Sequence, residues 1–234
     1  MIYLTGDTHG EIDSDKLCIG EFAERTSKQL TKDDYLIILG DFGFIWSEEP
    51  DDAETFWMSV LEQSPWTTLF IDGNHENFHR LNNMPIEQWH GGKVHKINDS
   101  VIHLMRGQVF EIDDSTFFTF GGALSIDKNR RTEGLSWWKE EQASYQEIEE
   151  GFTNLQKHGN KVDYVLTHTC ITEVCKTIVK YSNGSYSYPD PMTKVLDHYY
   201  SMLDFKKWYF GHWHIDLDCG KVECLYNKIK ELEK

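Results

Sequence analysis

The chain has 234 residues, of which 39% are hydrophobic and 26% are charged, as in a folded globular protein and unlike a disordered one. Such a length allows one large domain or two small ones, with a sizeable core that needs no disulfide bonds. Its 39 acidic and 23 basic side chains give a formal net charge of −16, which argues against broad electrostatic binding to nucleic acid or to an anionic membrane.

The first third of the chain alternates strand and helix patterns. Short apolar runs that are rich in β-formers predict strands at Ile2–Leu4, Tyr35–Leu39 and Thr68–Ile71. Between the last two, the apolar residues from Ala53 to Leu61 recur on one helical face, and Pro65 follows the end of that pattern. This alternation is typical of a parallel sheet covered by helices.

The middle of the chain has a different pattern. Four strand-like runs follow one another closely, with turn residues between them: Val94–Ile97, Val101–Met105, Val109–Ile112 and Phe117–Phe120. Short connections of this kind predict an antiparallel meander.

The last third returns to alternating elements. The spacing of Ile148, Phe152 and Leu155 predicts a helix, and Tyr164–Leu166 and Trp208–Phe210 predict strands. Asp190-Pro191 is typical of an N-cap and a first helical residue. The whole pattern predicts an α/β (α+β) fold in which two packed mixed β-sheets are flanked by helices, as one continuous domain over residues 1–234.

Cysteine usage and the lack of targeting signals favour a cytoplasmic protein. No apolar run approaches the ~20 residues needed to span a bilayer, and the run at Met1–Leu4 is too short for a signal-peptide core. Five cysteines are an odd number and suit a reducing compartment. The pairs Cys170/Cys175 and Cys219/Cys224 allow the hypothesis of a four-cysteine zinc site, although the simpler interpretation is that they are buried thiols.

Metal-ligand side chains follow each of the five runs predicted as strands outside the meander. In open α/β sheets, ligands bind at the carboxyl ends of the strands, so these side chains are expected to meet at one edge. Carboxylate, imidazole and amide groups suit manganese, iron, zinc or similar ions. The segments are Gly6-Asp7-Thr8-His9, Gly40-Asp41, Gly73-Asn74-His75-Glu76, His168 and Gly211-His212-Trp213-His214.

This ordered set (D-x-H, G-D, G-N-H-E, H, G-H-x-H) resembles the signature of the calcineurin-like metallophosphoesterase superfamily over essentially the whole chain. The resemblance implies a four-layer αββα sandwich with a centre of two divalent metal ions. It implies that Asp7, His9 and His214 bind one metal and that Asn74, His168 and His212 bind the other. Asp41 matches the bridging carboxylate, and His75 matches the catalytic histidine.

The function implied is hydrolysis of a phosphate ester by a metal-activated hydroxide, with His75 assisting. Manganese is the ion expected to support activity in vitro. The closing G-H-x-H resembles the branch of bacterial phosphodiesterases, nucleotide phosphatases and nucleases, so both monoesters and diesters stay open. Protein phosphatases carry G-D-x-V-D-R-G, whereas Phe44 and Ile45 stand here in place of the second aspartate and the arginine. The residue that orients His75 therefore stays unidentified.

Two other functions compete with this hypothesis. The segment from His75 to His79 matches H-E-x-x-H, the signature of zinc proteases, which requires both histidines on one face of a helix. A zinc protease would give no role to the remaining metal-ligand side chains. A non-catalytic scaffold on the same fold is the second alternative, although all the ligand positions are present.

Each of four residues is either a candidate for substrate binding or an ordinary solvent-exposed side chain: His79, Arg106, Arg130 and Arg131. Trp137, Trp138, Tyr186 and Tyr188 are candidates for stacking on a base. Two divalent ions would still leave the chain strongly acidic, and it has no basic track, so long duplex nucleic acid is not expected as a partner. We expect a small phosphorylated substrate, such as a nucleotide or a short diester.

Overall fold

The computed structural model describes residues 1–18, 22, 24, 30–181 and 190–232. The two tyrosines proposed for stacking, Tyr186 and Tyr188, lie outside the described residues. The described helices are α1 Asp15–Cys18, α2 Asp52–Gln63, α3 Phe78–Asn82, α4 Tyr145–Lys157, α5 Thr172–Tyr181 and α6 Pro191–Met202, with short 3-10 helices at Lys128–Arg130 and Lys139–Glu141. Among these residues, no helix is both long enough and apolar enough to cross a bilayer.

The described residues form thirteen strands in two mixed sheets. They are β1 Ile2–Thr5, β2 Tyr35–Leu39, β3 Thr67–Ile71, β4 Ile86–Trp89, β5 Gly92–Asn98, β6 Val101–Leu104, β7 Gln108–Ile112, β8 Ser115–Phe120, β9 Tyr164–Thr167, β10 Lys207–Phe210, β11 Leu217–Asp218, β12 Val222–Cys224 and β13 Lys230–Glu231. The first sheet has the order β13-β1-β2-β3-β6-β5-β4, and the second has the order β11-β12-β10-β9-β8-β7. Strands β1, β2 and β3 are parallel neighbours, as are β8, β9 and β10.

The predicted αββα sandwich is confirmed by how the buried side chains of the central strands alternate between the two faces of the sheet. In β2, Ile37 and Leu39 pack into the core between the two sheets, whereas Leu36 and Ile38 pack on the outer side of the first sheet with Trp57 of α2. The outer side of the second sheet packs against helices α4, α5 and α6 in a separate cluster. Because both faces of each sheet are covered, the central strands are continuous apolar runs, as is usual for buried parallel strands.

The predicted N-cap at Asp190 is confirmed, and helices α2 and α4 also begin at side-chain caps. The Asp51 side chain accepts a hydrogen bond from the Glu54 amide at the start of α2, and Asp190 does the same for Met192 at the start of α6. At α4, Ser144 and Glu147 form a capping box.

The predicted meander is wrong in its topology. Strands β5 and β6 form an antiparallel hairpin in the first sheet, and β7 and β8 form another in the second sheet. The chain crosses between the sheets at Arg106 and Gly107. Gly107 has a φ of +70°, and a Cβ there would lie 2.9 Å from the Gly151 nitrogen of α4. Spacing along the sequence cannot show this crossing, because the two hairpins have the same alternation as a four-stranded meander.

Candidate metal centre

The predicted ligand side chains meet where the carboxyl ends of five parallel strands face one another across the two sheets. Strands β1, β2 and β3 lead into three of the ligand segments, and β9 and β10 lead into the other two. Four of the eight non-glycine residues with positive φ among the described residues lie in these segments: His9, Asp41, His212 and His214. Strained backbone of this kind clusters at functional sites, because the surrounding structure must hold it in place.

Asp41 lies at the middle of the cluster and is almost completely buried. Its Oδ2 lies 3.1 Å from His9 Nε2, and its Oδ1 lies 3.2 Å from His168 Nε2. The backbone amides of Asn74 and His75 both donate hydrogen bonds to Oδ1. A Cβ at Gly73 would lie 2.1 Å from this oxygen, so only glycine permits the close approach.

Three groups of side chains have donor atoms within 4.8 Å of one another, which is close enough to share a metal ion. Asp41 belongs to two of these groups, and its carboxylate therefore lies between them. The groups are Asp7, His9 and His214; Asp41, His168 and His212; and His9, Asp41 and His75. The first two correspond to the ligand sets implied by the family resemblance. The third means that the geometry also permits His75 to be a ligand.

The remaining predicted ligand, Asn74, adds an amide oxygen to the second group. Its Oδ1 lies 3.2 Å from His168 Nε2, and its Nδ2 donates to the hydroxyl of Ser125. This second contact turns the amide oxygen toward the cluster. Carboxylate, imidazole and amide donors are the set preferred by manganese, iron and zinc.

Partners outside the cluster hold two of the histidines in the orientation that a metal ligand requires. His9 Nδ1 lies 2.8 Å from Asp13 Oδ2, and His168 Nδ1 lies 2.8 Å from the Leu39 carbonyl oxygen. When Nδ1–H donates to an oxygen, Nε2 carries the lone pair, and Nε2 is the atom that faces Asp41 in both residues. The residues present therefore fit divalent metal ions.

The charges of the cluster shift the pKa values of its members. Burial alone would raise the pKa of Asp41, but the charge and hydrogen bond of His168 and the hydrogen bond of His9 hold it well below its ordinary value. Burial opposes the charge of His168, yet Asp41 raises the pKa of that imidazole to about 9. Burial and the neighbouring His168 lower the pKa of His212 to about 3, so its ring is neutral at pH 7.

His75 lies at the edge of the cluster in an aromatic and cationic environment. Trp46 stacks on its ring with centroids 5.6 Å apart and planes at 22°. The guanidinium of Arg131 approaches from another side, with Nη2 3.4 Å from His75 Nε2. Burial lowers the pKa of His75, and the positive charge of Arg131 lowers it further, although Asp41 acts in the opposite direction. Trp46 and Arg131 therefore orient the His75 ring, together with the His9 ring, whose centroid lies 5.0 Å away.

The zinc-protease alternative is wrong, because His75 and His79 do not share a helix. Helix α3 begins at Phe78, so only His79 is helical, and its side chain is exposed. Glu76, which would be the protease base, is fully buried and accepts hydrogen bonds from the amides of Phe42 and Gly43. Its carboxylate holds the loop after β2 against the turn after β3. Burial and the charge of Asp41 raise its pKa well above the ordinary value.

The structure places the four predicted substrate residues differently. Arg131 lines the cavities on both sides of His75 and is held by an ion pair with Asp127 at 2.8 Å. Arg130 and His79 are exposed and line neither of these cavities.

The guanidinium of Arg106 has a structural partner instead. It is buried, and its Nε and Nη2 donate to Asp72 Oδ2 at 2.8 and 2.6 Å. The residue also lines neither cavity at His75. The placement of Arg106 therefore corrects the prediction that it binds substrate.

The cysteine pairs do not form a metal group within the described part of the chain. Cys170, Cys175 and Cys224 are buried, Cys219 is exposed, and all four are free thiols. None of the three candidate metal groups contains a cysteine. The interpretation as small buried side chains therefore holds for the three buried residues.

Sequence reasoning missed the residues that position the site. Asp13, Trp46, Glu76, Ser125 and Tyr226 are among these. Glu76 could have been recognised from the sequence, since it is the last residue of the G-N-H-E segment. The others lie in loops whose contacts depend on the fold.

We expect Asp13→Asn to lower metal affinity or activity by about 10- to 100-fold, the range for partners that orient a metal-bound histidine. Asp13 accepts from His9 Nδ1 and from the Tyr226 hydroxyl, 2.9 Å away. Titration of turnover with Mn²⁺ measures the effect. Asp15→Asn, two residues on at an exposed position, is the matched control. Equal Mn²⁺ dependence in the two variants would contradict the role of Asp13.

A protein-family model described as calcineurin-like phosphoesterase matches residues 1–216. The match spans all five ligand segments and ends just after His214. A search of individually curated proteins gave no match.

Proposed function

The chain belongs to the calcineurin-like phosphoesterase family, and on that premise we propose that it hydrolyses a small phosphate ester at a centre of two divalent metal ions. The observation that carries the proposal is the convergence of five ligand segments around the buried Asp41 carboxylate. Family membership supports metal-dependent phosphoester hydrolysis in general. The metal number, the residue roles and the substrate are the parts that we add.

In this proposal, each metal ion has its own set of protein ligands, and Asp41 is shared between them. Asp7, His9 and His214 bind one ion, and Asn74, His168 and His212 bind the other. When bound, two such ions supply an activated water nucleophile and offset the charge that builds on the phosphoryl oxygens. Manganese, iron and zinc all fit these donors, and we expect Mn²⁺ to support activity in vitro.

His75 and Arg131 act on the substrate itself in our proposal. Arg131 binds a phosphoryl oxygen through its guanidinium, which suits that geometry. His75 gives a proton to the leaving oxygen. Its pKa is lowered, so the ring is a stronger acid when protonated, and a smaller fraction of it is protonated at pH 7. Trp46 and Arg131 fix the ring in place.

Several features support a small substrate over a polymer. The strongly acidic chain lacks a basic track that would follow a nucleic-acid backbone. The cavities next to His75 have volumes of about 430 and 340 Å³, the size range of sites for small molecules. We propose a cytoplasmic location, which the free thiols of the described cysteines support.

The test is hydrolysis of p-nitrophenyl phosphate and bis-p-nitrophenyl phosphate with added Mn²⁺, compared with Asp41→Asn. We expect Asp41→Asn to lower turnover by more than about 100-fold, the upper figure for residues that only orient a ligand. Unchanged turnover in this variant would contradict the proposal. If the native chain hydrolysed neither ester and bound no metal, the non-catalytic scaffold would be the better explanation.

A further inference from the structure

Two cavities meet at the wall formed by His9, His75 and Arg131, which line both. The first, here called the metal-side cavity, has a volume of about 340 Å³ and includes Asp41 and Asn74. The second, here called the Trp46 cavity, has a volume of about 430 Å³ and lies on the other side of His75. A substrate whose phosphorus lies at the metal centre therefore has room for one substituent on each side.

The Trp46 cavity is apolar and aromatic, with carboxylates around it. Its apolar side chains belong to Ile12, Phe44, Trp46 and Ala53. Ile12 is 80% exposed at the rim, where a bound ring would cover it. Flat apolar groups pack well against Trp and Phe rings.

The charged residues of the Trp46 cavity disfavour an anionic group. Glu11, Asp51 and Glu54 line it. Glu54 is paired with Arg80 at 2.7 Å, and Asp51 caps helix α2. Arg131 is the basic residue among the side chains that line the cavity, and it lies next to His75. A second phosphate in this cavity would meet like charges.

The metal-side cavity can hold a different substituent. Leu124, Ile126, Val179 and Trp213 line it together with the ligand residues. Ile126 is 70% exposed, so this cavity also has an exposed apolar residue at its rim. A phosphomonoester has one carbon substituent and would leave one of the two cavities without a group to bind.

We infer that the substrate is a phosphodiester whose leaving group is an uncharged aromatic alcohol or a nucleoside bound in the Trp46 cavity, while the retained group lies in the metal-side cavity. This inference rests on the proposed function. His75 lines both cavities, but Trp46, which stacks on its ring, lines only the Trp46 cavity, and we therefore place the leaving oxygen that His75 protonates on that side. The group that departs is therefore the one on the Trp46 side.

The reaction balances as hydrolysis. A water oxygen forms the new bond to phosphorus, and the ester bond to the leaving oxygen breaks with its electron pair on that oxygen. His75 gives this oxygen a proton and regains one that derives from the water. The products are the free alcohol and a phosphomonoester.

The test fills the Trp46 cavity by Ala53→Phe. We expect kcat/KM for bis-p-nitrophenyl phosphate to fall about tenfold, mainly through KM, since apolar contacts in a pocket discriminate by about that amount. Inhibition by phenylphosphonate should weaken to the same extent, whereas inhibition by inorganic phosphate should not change. Ser59→Phe puts the same ring at an exposed position of the same helix and is the matched control.

A second variant avoids any effect on folding. Ile12→Glu changes a rim residue and adds a negative charge, so it should raise KM for the diester severalfold. Ile86→Glu, at an exposed position that lines neither cavity, is its control. Unchanged kinetics in both Ala53→Phe and Ile12→Glu would overturn the inference, as would faster native hydrolysis of p-nitrophenyl phosphate than of the diester. In either case turnover with Mn²⁺ leaves the proposed function intact, whereas native inactivity on both esters would overturn both proposals.

Discussion

Replacement of His75 by alanine is expected to lower kcat by about 10²- to 10⁴-fold, the range for loss of a general acid or base. The metal content should stay at the native value. Donor atoms of His75, His9 and Asp41 lie within 4.8 Å of one another, close enough to share a metal ion. A loss of activity alone therefore cannot show whether His75 is a proton donor or a metal ligand. Metal content after dialysis separates the two roles.

The matched control is His79→Ala, which removes an exposed imidazole four residues along the same segment. We expect its kcat and metal content to equal those of the native chain. Asp41→Asn is the opposite control and should lose both metal and turnover. Loss of one metal ion in His75→Ala would make His75 a ligand and would require another proton donor. A kcat within a few-fold of the native value would exclude both roles.

The strand pattern of this fold could be predicted because the central strands are buried on both faces. Each of the five runs outside the middle region became a strand that ends within one residue of the predicted position. The hairpins at β5–β6 and β7–β8 were harder to place. Their pattern of apolar and polar residues is the same whether the two hairpins share one sheet or lie in two. Only the crossing of the chain at Gly107 distinguishes the two arrangements.

The ligand segments could be predicted for a different reason. Their residues must follow strand ends, and their order along the chain is characteristic of the family. The residues that hold them obey no such rule. Asp13 reaches His9 through a local turn, whereas Trp46 reaches His75 from a separate loop. Ser125 contacts Asn74 across 51 positions of sequence. Such contacts depend on tertiary packing, which spacing does not show.

The same distinction explains the incorrect prediction for Arg106. An arginine after a strand in an acidic phosphoesterase suggested an anionic ligand, and the anion proved to be the protein's own Asp72. Asp72 Oδ1 also lies 3.2 Å from His103 Nε2. Burial alone would raise the pKa of Asp72, but the charge of Arg106 and the hydrogen bond of His103 hold it well below its ordinary value. This buried network lies directly before the Gly73-Asn74-His75 segment.

We therefore expect Arg106→Met to lower the free energy of unfolding by about 3–5 kcal/mol, because it leaves the buried Asp72 carboxylate without its cation. Domains of this kind are stable by about 5–15 kcal/mol in total, so the loss is large. Urea unfolding at pH 7 measures it. Lys161→Met is the matched control, because Lys161 and Asp204 are 3.7 Å apart and mostly exposed. Lys161→Met should lower the free energy of unfolding by about 1 kcal/mol or less.

The pH dependence gives an independent check on the cause. Because the native pKa of Asp72 is lowered, its ionised form contributes stability at pH values above the ordinary aspartate pKa, and that contribution is lost as the pH falls toward the native pKa. The difference in the free energy of unfolding between Arg106→Met and the native chain should therefore become smaller below about pH 4. The double variant Arg106→Met/Asp72→Asn should lose less free energy of unfolding than the sum of the losses in the two single variants, since both changes remove the same interaction. Additive costs, or a gap that does not depend on pH, would show that Arg106 stabilises the fold through packing, as its position over the Phe78 ring would allow.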